Sequence, residues 1–307
     1  MADSIRPGVY PTMITPFTDD NELDMGAVDA LIEYYAECGC AGVFALCQSS
    51  EIFFMSDDEK RALMKRISAA NRGRMQLVAS AHTAEDMQTQ IKQLAMVGEC
   101  GADAAVIILN RTARSYESED VCKRNIERIL NALPDMRFGM YESPYPYKRV
   151  ASPELIKFCA GTGRIVFIKD TTCRVAALKA KRQAAEGTPL MIFNANTATL
   201  LDSLRAGISG FSGVMANFHA DLYVALMRLH AAGDPLADKL QAFLTMASWI
   251  ENQLYPVNAK AYRRMLGMDI GIHTRSRDVS QWNPTFESEL RQLHALECEW
   301  REQVAQR

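Results

Sequence analysis

No stretch of about 18 uncharged apolar residues occurs in this 307-residue chain, and a helix that crosses a bilayer needs about that many. The N-terminal MADSIRPGVYPTMITPF lacks a basic stretch followed by an apolar one, so secretion is not expected and the protein is expected to be cytoplasmic. Charge of one sign is also missing: 34 Lys and Arg stand against 37 Asp and Glu, a formal net charge of -3. Such a balance gives no pull toward phosphate backbones or anionic lipid. The expected partner is a small molecule, with no nucleic acid and no membrane. Histidines number 5, none in an HExxH pair, and the 8 cysteines (38, 40, 47, 100, 122, 159, 173 and 298) form no CxxC. A bound metal is therefore not expected, and the thiols are expected to be reduced and mostly packed. No GxGxxG and no phosphate-binding loop follows the first strand pattern, which argues against an open doubly wound sheet. Internal repeats and low-complexity tracts are absent too.

What is present is an alternation of short apolar runs with longer segments of helical period, the pattern of a parallel sheet with crossover helices. Eight runs read as strands: Gly8 to Pro16, Ala41 to Cys47, Gln76 to Ala81, Ala104 to Leu109, Arg137 to Ser143, Ile165 to Asp170, Leu190 to Ala195 and Gly210 to Met215. Helical patterns fall between them, at Asp24 to Cys38, Ser56 to Asn71, Ala84 to Gly98, Ser118 to Leu133 and Ser152 to Ala160, several opened by a Ser or Asp suited to cap a helix. From His219 onward only helical patterns remain, at Leu236 to Leu254, Val257 to Leu266 and Pro284 to Gln306. The expected fold is α/β, a (β/α)8 TIM barrel over residues 1–233 with a C-terminal helical extension over 234–307 packed on it.

In such a barrel the functional groups stand at the C-terminal ends of strands. The run Ile165-Val-Phe-Ile-Lys169-Asp170-Thr171-Thr172 ends in a lysine aimed at the barrel mouth. Burial disfavours its cation, leaving a free amine able to attack a carbonyl and form an imine. The competing reading pairs Lys169 with Asp170 or Glu142. Phe138-Gly-Met-Tyr141-Glu142-Ser143-Pro144 closes on a tyrosine that either moves protons beside that imine or simply packs. Gly42-Val-Phe-Ala-Leu-Cys47 is followed directly by Gln48, Ser49, Ser50 and Glu51. Hydroxyls and backbone N–H groups there suit either a carboxylate or a helix cap.

With 28 residues from Tyr141 to Lys169, Thr12-Met-Ile-Thr-Pro-Phe17 and Asn21-Glu-Leu-Asp24 near the start, and Pro256-Val-Asn-Ala-Lys260 and Met265-Leu-Gly267 in the tail, the chain resembles the dihydrodipicolinate synthase and N-acetylneuraminate lyase superfamily over nearly its whole length. The resemblance implies a class I aldolase-type lyase. Lys169 forms a Schiff base with pyruvate or a 2-keto sugar acid, and Tyr141 shuttles protons, steadied by Ser49. The Ser49 hydroxyl, with the Ser49 and Ser50 amides and Gln48, holds the keto-acid carboxylate. It further implies no metal or organic cofactor and a homodimer or homotetramer. Thr171, Ser212, Asn194 and Asn196 are expected to bind hydroxyls of a sugar-acid tail.

The member is an atypical one. Pro146 stands where synthases carry an arginine for the second substrate's carboxylate, which disfavours synthase activity; Lys148 and Arg149 are either substitutes or solvated charges. Ile108 and Leu109 occupy the place of the aromatic proton relay, and Tyr116 lies further on. Cys47 and Ser50 replace loop glycines, so the turn is expected to avoid positive φ there. Glu142 replaces an asparagine, which suits a polyhydroxylated or cationic substrate or a pair with Lys148. Three rival readings stand beside the lyase: a catalytically silent barrel that binds a keto acid or regulates, a true dihydrodipicolinate synthase, and an unrelated barrel enzyme in which Lys169 only makes an ion pair.

Overall fold

The structure, a computed structural model, describes residues 4–307. Its strands are β1 (Gly8–Val9), β2 (Gly42–Ala45), β3 (Gln76–Ala79), β4 (Ala104–Ile108), β5 (Phe138–Tyr141), β6 (Ile165–Asp170), β7 (Met191–Asn194) and β8 (Gly210–Phe211). All are parallel in the order β1-β8-β7-β6-β5-β4-β3-β2. The ring closes between β1 and β2 through Ala41 N–H to Val9 O (3.1 Å), Phe44 N–H to Pro11 O (2.9 Å) and Met13 N–H to Phe44 O (3.0 Å). Every strand is therefore paired on both sides, which removes the edges that an open sheet leaves exposed. The first and last strands are shorter than their apolar runs; in the first, Pro11 and Pro16 have no N–H to give to a ladder.

Around the barrel run α1 (Met25–Glu37), α2 (Asp57–Asn71), α3 (Met87–Glu99), α4 (Leu109–Thr112), α5 (Glu119–Ala132), α6 (Pro153–Gly161), α7 (Val175–Ala184), α8 (Leu200–Arg205) and α9 (Ala216–Ala231), followed by α10 (Leu236–Ala247), α11 (Val257–Met265) and α12 (Pro284–Ala305). The cap residues explain where they start. Asp24 accepts from Ala27 N, Ser56 and Glu59 satisfy each other's backbone N–H, and Ser152 accepts from Leu155 N. The third helix begins at Met87 rather than Ala84 because Asp86 is its cap, accepting from Thr89 N. Ser118 precedes α5 but makes no side-chain cap bond. Among the described residues no helix is long and apolar enough to cross a membrane.

The barrel interior is a column of rings. At the bottom the Tyr10 hydroxyl donates to Gln76 Oε1 (2.8 Å), and the Tyr10 ring packs against Phe167 and Phe193, which stack on each other, with centroids 4.7 to 5.7 Å apart. Gly42 makes this possible, since a Cβ there would lie 2.0 Å from the Tyr10 ring. Phe44 caps the column, 5.8 Å from Phe167 and 5.4 Å from Tyr141. Polar side chains begin at that level.

The C-terminal helices are tied to the barrel by a buried polar cluster. Glu297 of α12 meets His219 Nδ1 (2.7 Å), the Tyr262 hydroxyl (2.5 Å) and Arg301 (2.9 Å), and Arg301 continues to Asp221 (2.6 Å). Helix α9 kinks at His219 (φ -145, ψ 62). The kink frees backbone groups that water cannot reach, and they are satisfied locally: Ala220 N–H by the Tyr34 hydroxyl (3.0 Å) and Phe218 O by Arg263.

Candidate active site

Lys169 and Tyr141 face each other across the β5–β6 pair, being partners in its register. Because side chains alternate along a strand, the shared register sends both to the same side. The Lys169 Nζ lies 4.8 Å from the centre of the Tyr141 ring and 5.8 Å from that of Phe44. Both residues line a cavity of about 350 Å³ at the barrel mouth, together with Gln48, Ser49, Thr171, Glu251 and Tyr255.

Four lysines are buried among the described residues, and their partners separate them. Lys60 is held by Asp57 (2.9 Å) and Thr83 (2.8 Å). Lys181 is held by Glu142 and Asp170. Lys260 is held by Glu51 (3.3 Å) and the His273 carbonyl (2.5 Å). Lys169, 4% exposed, has no hydrogen bond or ion pair to any described residue. The pairing of Lys169 with Asp170 or Glu142 does not occur, because Lys181 reaches in from α7 and takes both carboxylates. Burial pushes the Lys169 amine down to about 8, opposed by Cys47 and Glu251. At pH 7 about a tenth of such amines is neutral, about 300 times more than for a solvated lysine. Burial also raises the Tyr141 phenol, against the pull of the neighbouring Ser143 hydroxyl, so Tyr141 stays a proton donor. Ser143 is buried and in turn donates to Gln48 Oε1 (3.3 Å).

The turn after β2 is a single 3-10 turn over Gln48–Ser50. Cys47 is extended and Ser50 is helical, as the loss of both loop glycines requires; the positive φ values fall instead on Leu46 (47°) and Glu51 (62°). Glu51 is kept there by its side chain, which accepts from Arg275 N and Ser276 N (2.8 Å each) and meets Lys260. These bonds outweigh the strain of a left-handed non-glycine residue, and they fasten the turn to the segment after α11. The Ser50 N–H is taken up by the Cys47 carbonyl (3.0 Å). The Gln48 and Ser49 amides have no partner among the described residues, as expected at the start of a short helical turn.

Of the residues expected at the site, Lys169, Tyr141, Ser49, Gln48 and Thr171 line the cavity. Ser49 donates to Thr12 (3.3 Å), however, and not to Tyr141; the hydroxyl beside the phenol is that of Ser143. Glu142, Ser50, Asn194, Asn196 and Ser212 do not line it, for identifiable reasons. Glu142 is turned away to bind Lys181, Ala151 N and Thr171 N, and Lys148 bonds the Thr171 carbonyl instead. The Ser50 hydroxyl bridges Met13 O (2.6 Å) and Cys47 N (3.1 Å). Asn194 and Asn196 hold each other and Thr199 in the turn after β7. Ser212 is fully buried. Tyr116 is 81% exposed and lies outside the cavity.

Among the lining residues that escaped the strand-end reading are Glu251, Tyr255 and Arg277. These three lie between α10 and α12, in the C-terminal extension. The Tyr255 hydroxyl accepts from Asn217 Nδ2 (3.1 Å), and burial raises its pKa well above the usual value, with the Ser49 hydroxyl pulling the other way. Arg277 donates to the Tyr255 carbonyl (3.2 Å) and forms no ion pair with a described residue. The same three residues and Val214 also line an outer cavity of about 680 Å³. Among the described residues no group of three or more His, Cys, Asp or Glu is arranged to hold a metal ion.

The Dihydrodipicolinate synthetase family profile matches residues 6–281. The chain is similar to the N-acetylneuraminate lyase of Rhizobium meliloti, with 26% identity over 307 residues and 98% of each chain covered. It is also similar to the 4-hydroxy-tetrahydrodipicolinate synthase of Anaplasma marginale, with 28% identity over 228 residues, 74% of this chain and 73% of that one. Two solved structures share the fold. The sialic acid aldolase of Ruminococcus gnavus, as its catalytic lysine mutant, gives a TM-score of 0.86 at 17% identity over 97% of each chain. A prophage protein of the dihydrodipicolinic acid synthase family from E. coli K12, in complex with pyruvate, gives 0.85 at 22% identity over 95% of this chain and 98% of that one. With the barrel, the buried lysine and the match over most of its length, the chain belongs to the dihydrodipicolinate synthetase family.

Proposed function

We propose that this member of an aldolase-type lyase family joins or cleaves a carbon-carbon bond, or eliminates water, next to a 2-keto acid held as an imine on Lys169. The observation that carries the reading is a buried, unpaired lysine opposite a buried tyrosine in the cavity. The neutral amine adds to the keto carbon. Tyr141 gives its proton to the carbinolamine hydroxyl, which leaves as water, and a protonated imine remains beside a phenolate. Burial alone disfavours that phenolate, but the new cation lies within a few ångströms of the ring and stabilises it. In cleavage, the phenolate takes the proton of the hydroxyl two carbons from the imine, the bond between those carbons breaks, and its electrons move into the imine to give an enamine. Protonation of the enamine and hydrolysis release pyruvate and an aldehyde. The Ser49 hydroxyl and the Gln48 and Ser49 amides suit the keto-acid carboxylate, whose fixation removes freedom before reaction.

Borohydride added with pyruvate should leave a reduced adduct on Lys169, absent in Lys169→Met, while a panel of 2-keto sugar acids should give steady pyruvate release. An unmodified Lys169 would overturn the imine; trapping without turnover would favour the silent barrel. Arg277 supports a second reading, condensation of pyruvate with an aldehyde that bears a carboxylate, because its guanidinium supplies at the outer cavity the cation that Pro146 cannot.

A further inference from the structure

Glu251 sits in the 3-10 turn Ser248–Asn252 between α10 and α11, a turn held by Asn258 Nδ2 donating to Ile250 O (2.7 Å). It lines both the inner cavity with Lys169 and the outer one beyond it. It also has no hydrogen bond or ion pair to any described residue, unlike the other carboxylates near the mouth: Glu51 is tied to Lys260 and two backbone amides, and Glu142 and Asp170 to Lys181. A half-buried carboxylate kept without a donor is costly unless something else supplies one. The cationic side chains that line these two cavities are Lys169 and Arg277, and neither forms an ion pair with Glu251.

We infer that Glu251 sets specificity by recognising the substrate's carbon chain beyond the imine, accepting hydrogen bonds from its hydroxyls. The inference rests on the imine reading above. A carboxylate only accepts, so its ligand must be a donor. An ammonium group there would face both the imine cation and Arg277, and an anionic group would face Glu251 itself; a neutral hydroxyl meets neither objection. The two cavities share Glu251, Tyr255 and Arg277 in their walls, which sets these residues along the way out from Lys169. Burial raises the Glu251 pKa and Lys169 lowers it, which agrees with a carboxylate short of donors.

The test is condensation of pyruvate with glyceraldehyde and with propionaldehyde, which has the same number of carbons and no hydroxyls. Wild type should prefer glyceraldehyde by about 10- to 100-fold, the range expected of a hydrogen bond to a charged group. Glu251→Ala should lose that preference through a rise in KM for glyceraldehyde, and Glu251→Gln should keep part of it. Borohydride trapping of pyruvate should persist in both variants. An undiminished preference in Glu251→Ala, or no condensation by a wild type that traps pyruvate, would overturn the inference. Trapping lost together with the preference would overturn it as well, making Glu251 a counter-ion of the imine. Failure of wild type to trap pyruvate would instead strike the imine reading on which it rests.

Discussion

Replacing Lys169 by methionine should make the protein more stable, and by an amount that depends on pH. The amine titrates near 8 in the folded chain, against 10.5 for an unperturbed lysine. Below pH 8 the lysine is charged in both states, and the shift of roughly 2.5 units costs the folded state about 3 kcal/mol at pH 7. Lys169 has no hydrogen bond or ion pair to lose, so methionine removes that cost without orphaning a partner. Between pH 8 and 10.5 the folded chain binds fewer protons than the unfolded one, so wild type gains stability as pH rises and the variant's lead shrinks to about 1 kcal/mol near pH 9.5. Urea unfolding of both proteins across this window measures the difference. Lys181→Met is the control of opposite sign: it strands Glu142 and Asp170 without their cation and should destabilise by about 3–5 kcal/mol. A Lys169→Met protein no more stable than wild type at pH 7, or one whose lead does not shrink above pH 8, would refute a desolvated amine.

Two further outcomes are expected away from the cavity. His82 is fully buried, accepts from Ile108 N (3.0 Å) on Nδ1, and is pushed down to about 4 by burial from an ordinary 6.5. Its contribution to stability is lost as pH falls through that interval, about 3 kcal/mol in all; His82→Asn, which keeps an acceptor for Ile108, should flatten the acid limb of the stability curve, and an unchanged limb would exclude His82 as its source. Glu297→Ala should lower stability by about 3–5 kcal/mol in urea unfolding, since it leaves His219, Tyr262 and Arg301 without their shared acceptor. A loss below about 1 kcal/mol would mean that apolar packing alone holds the C-terminal helices.

The barrel was legible because each buried strand is an apolar run bounded by turn residues, and Lys169 and Tyr141 because they close two such runs. Lys181 was not, since its carboxylate partners lie 39 and 11 residues away and a lysine on a helix ordinarily faces water. For the same reason Glu142 looked free to meet substrate when it is fully engaged. Glu251 fell within the helical pattern Leu236 to Leu254, whose last residues form a 3-10 turn instead, and Tyr255 and Arg277 fell outside any pattern. They stand in turns between helices, and the bonds of Glu51 and Lys260 to the 273–276 segment, with those of Arg275 to Asn21, Phe54 and Glu59, show how that stretch comes to hang over the barrel mouth.

That overhang divides the labour of the molecule along its length. The amine and phenol belong to central strands whose replacement would disturb the ring column beneath them, whereas the ceiling belongs to turns outside the barrel, packed through α11 and the bonds of Arg275. Drift in the turns 248–256 and 271–282 can therefore exchange one carbon skeleton for another while the bond-making pair stays where it is, so relatives that share the floor need not share a diet.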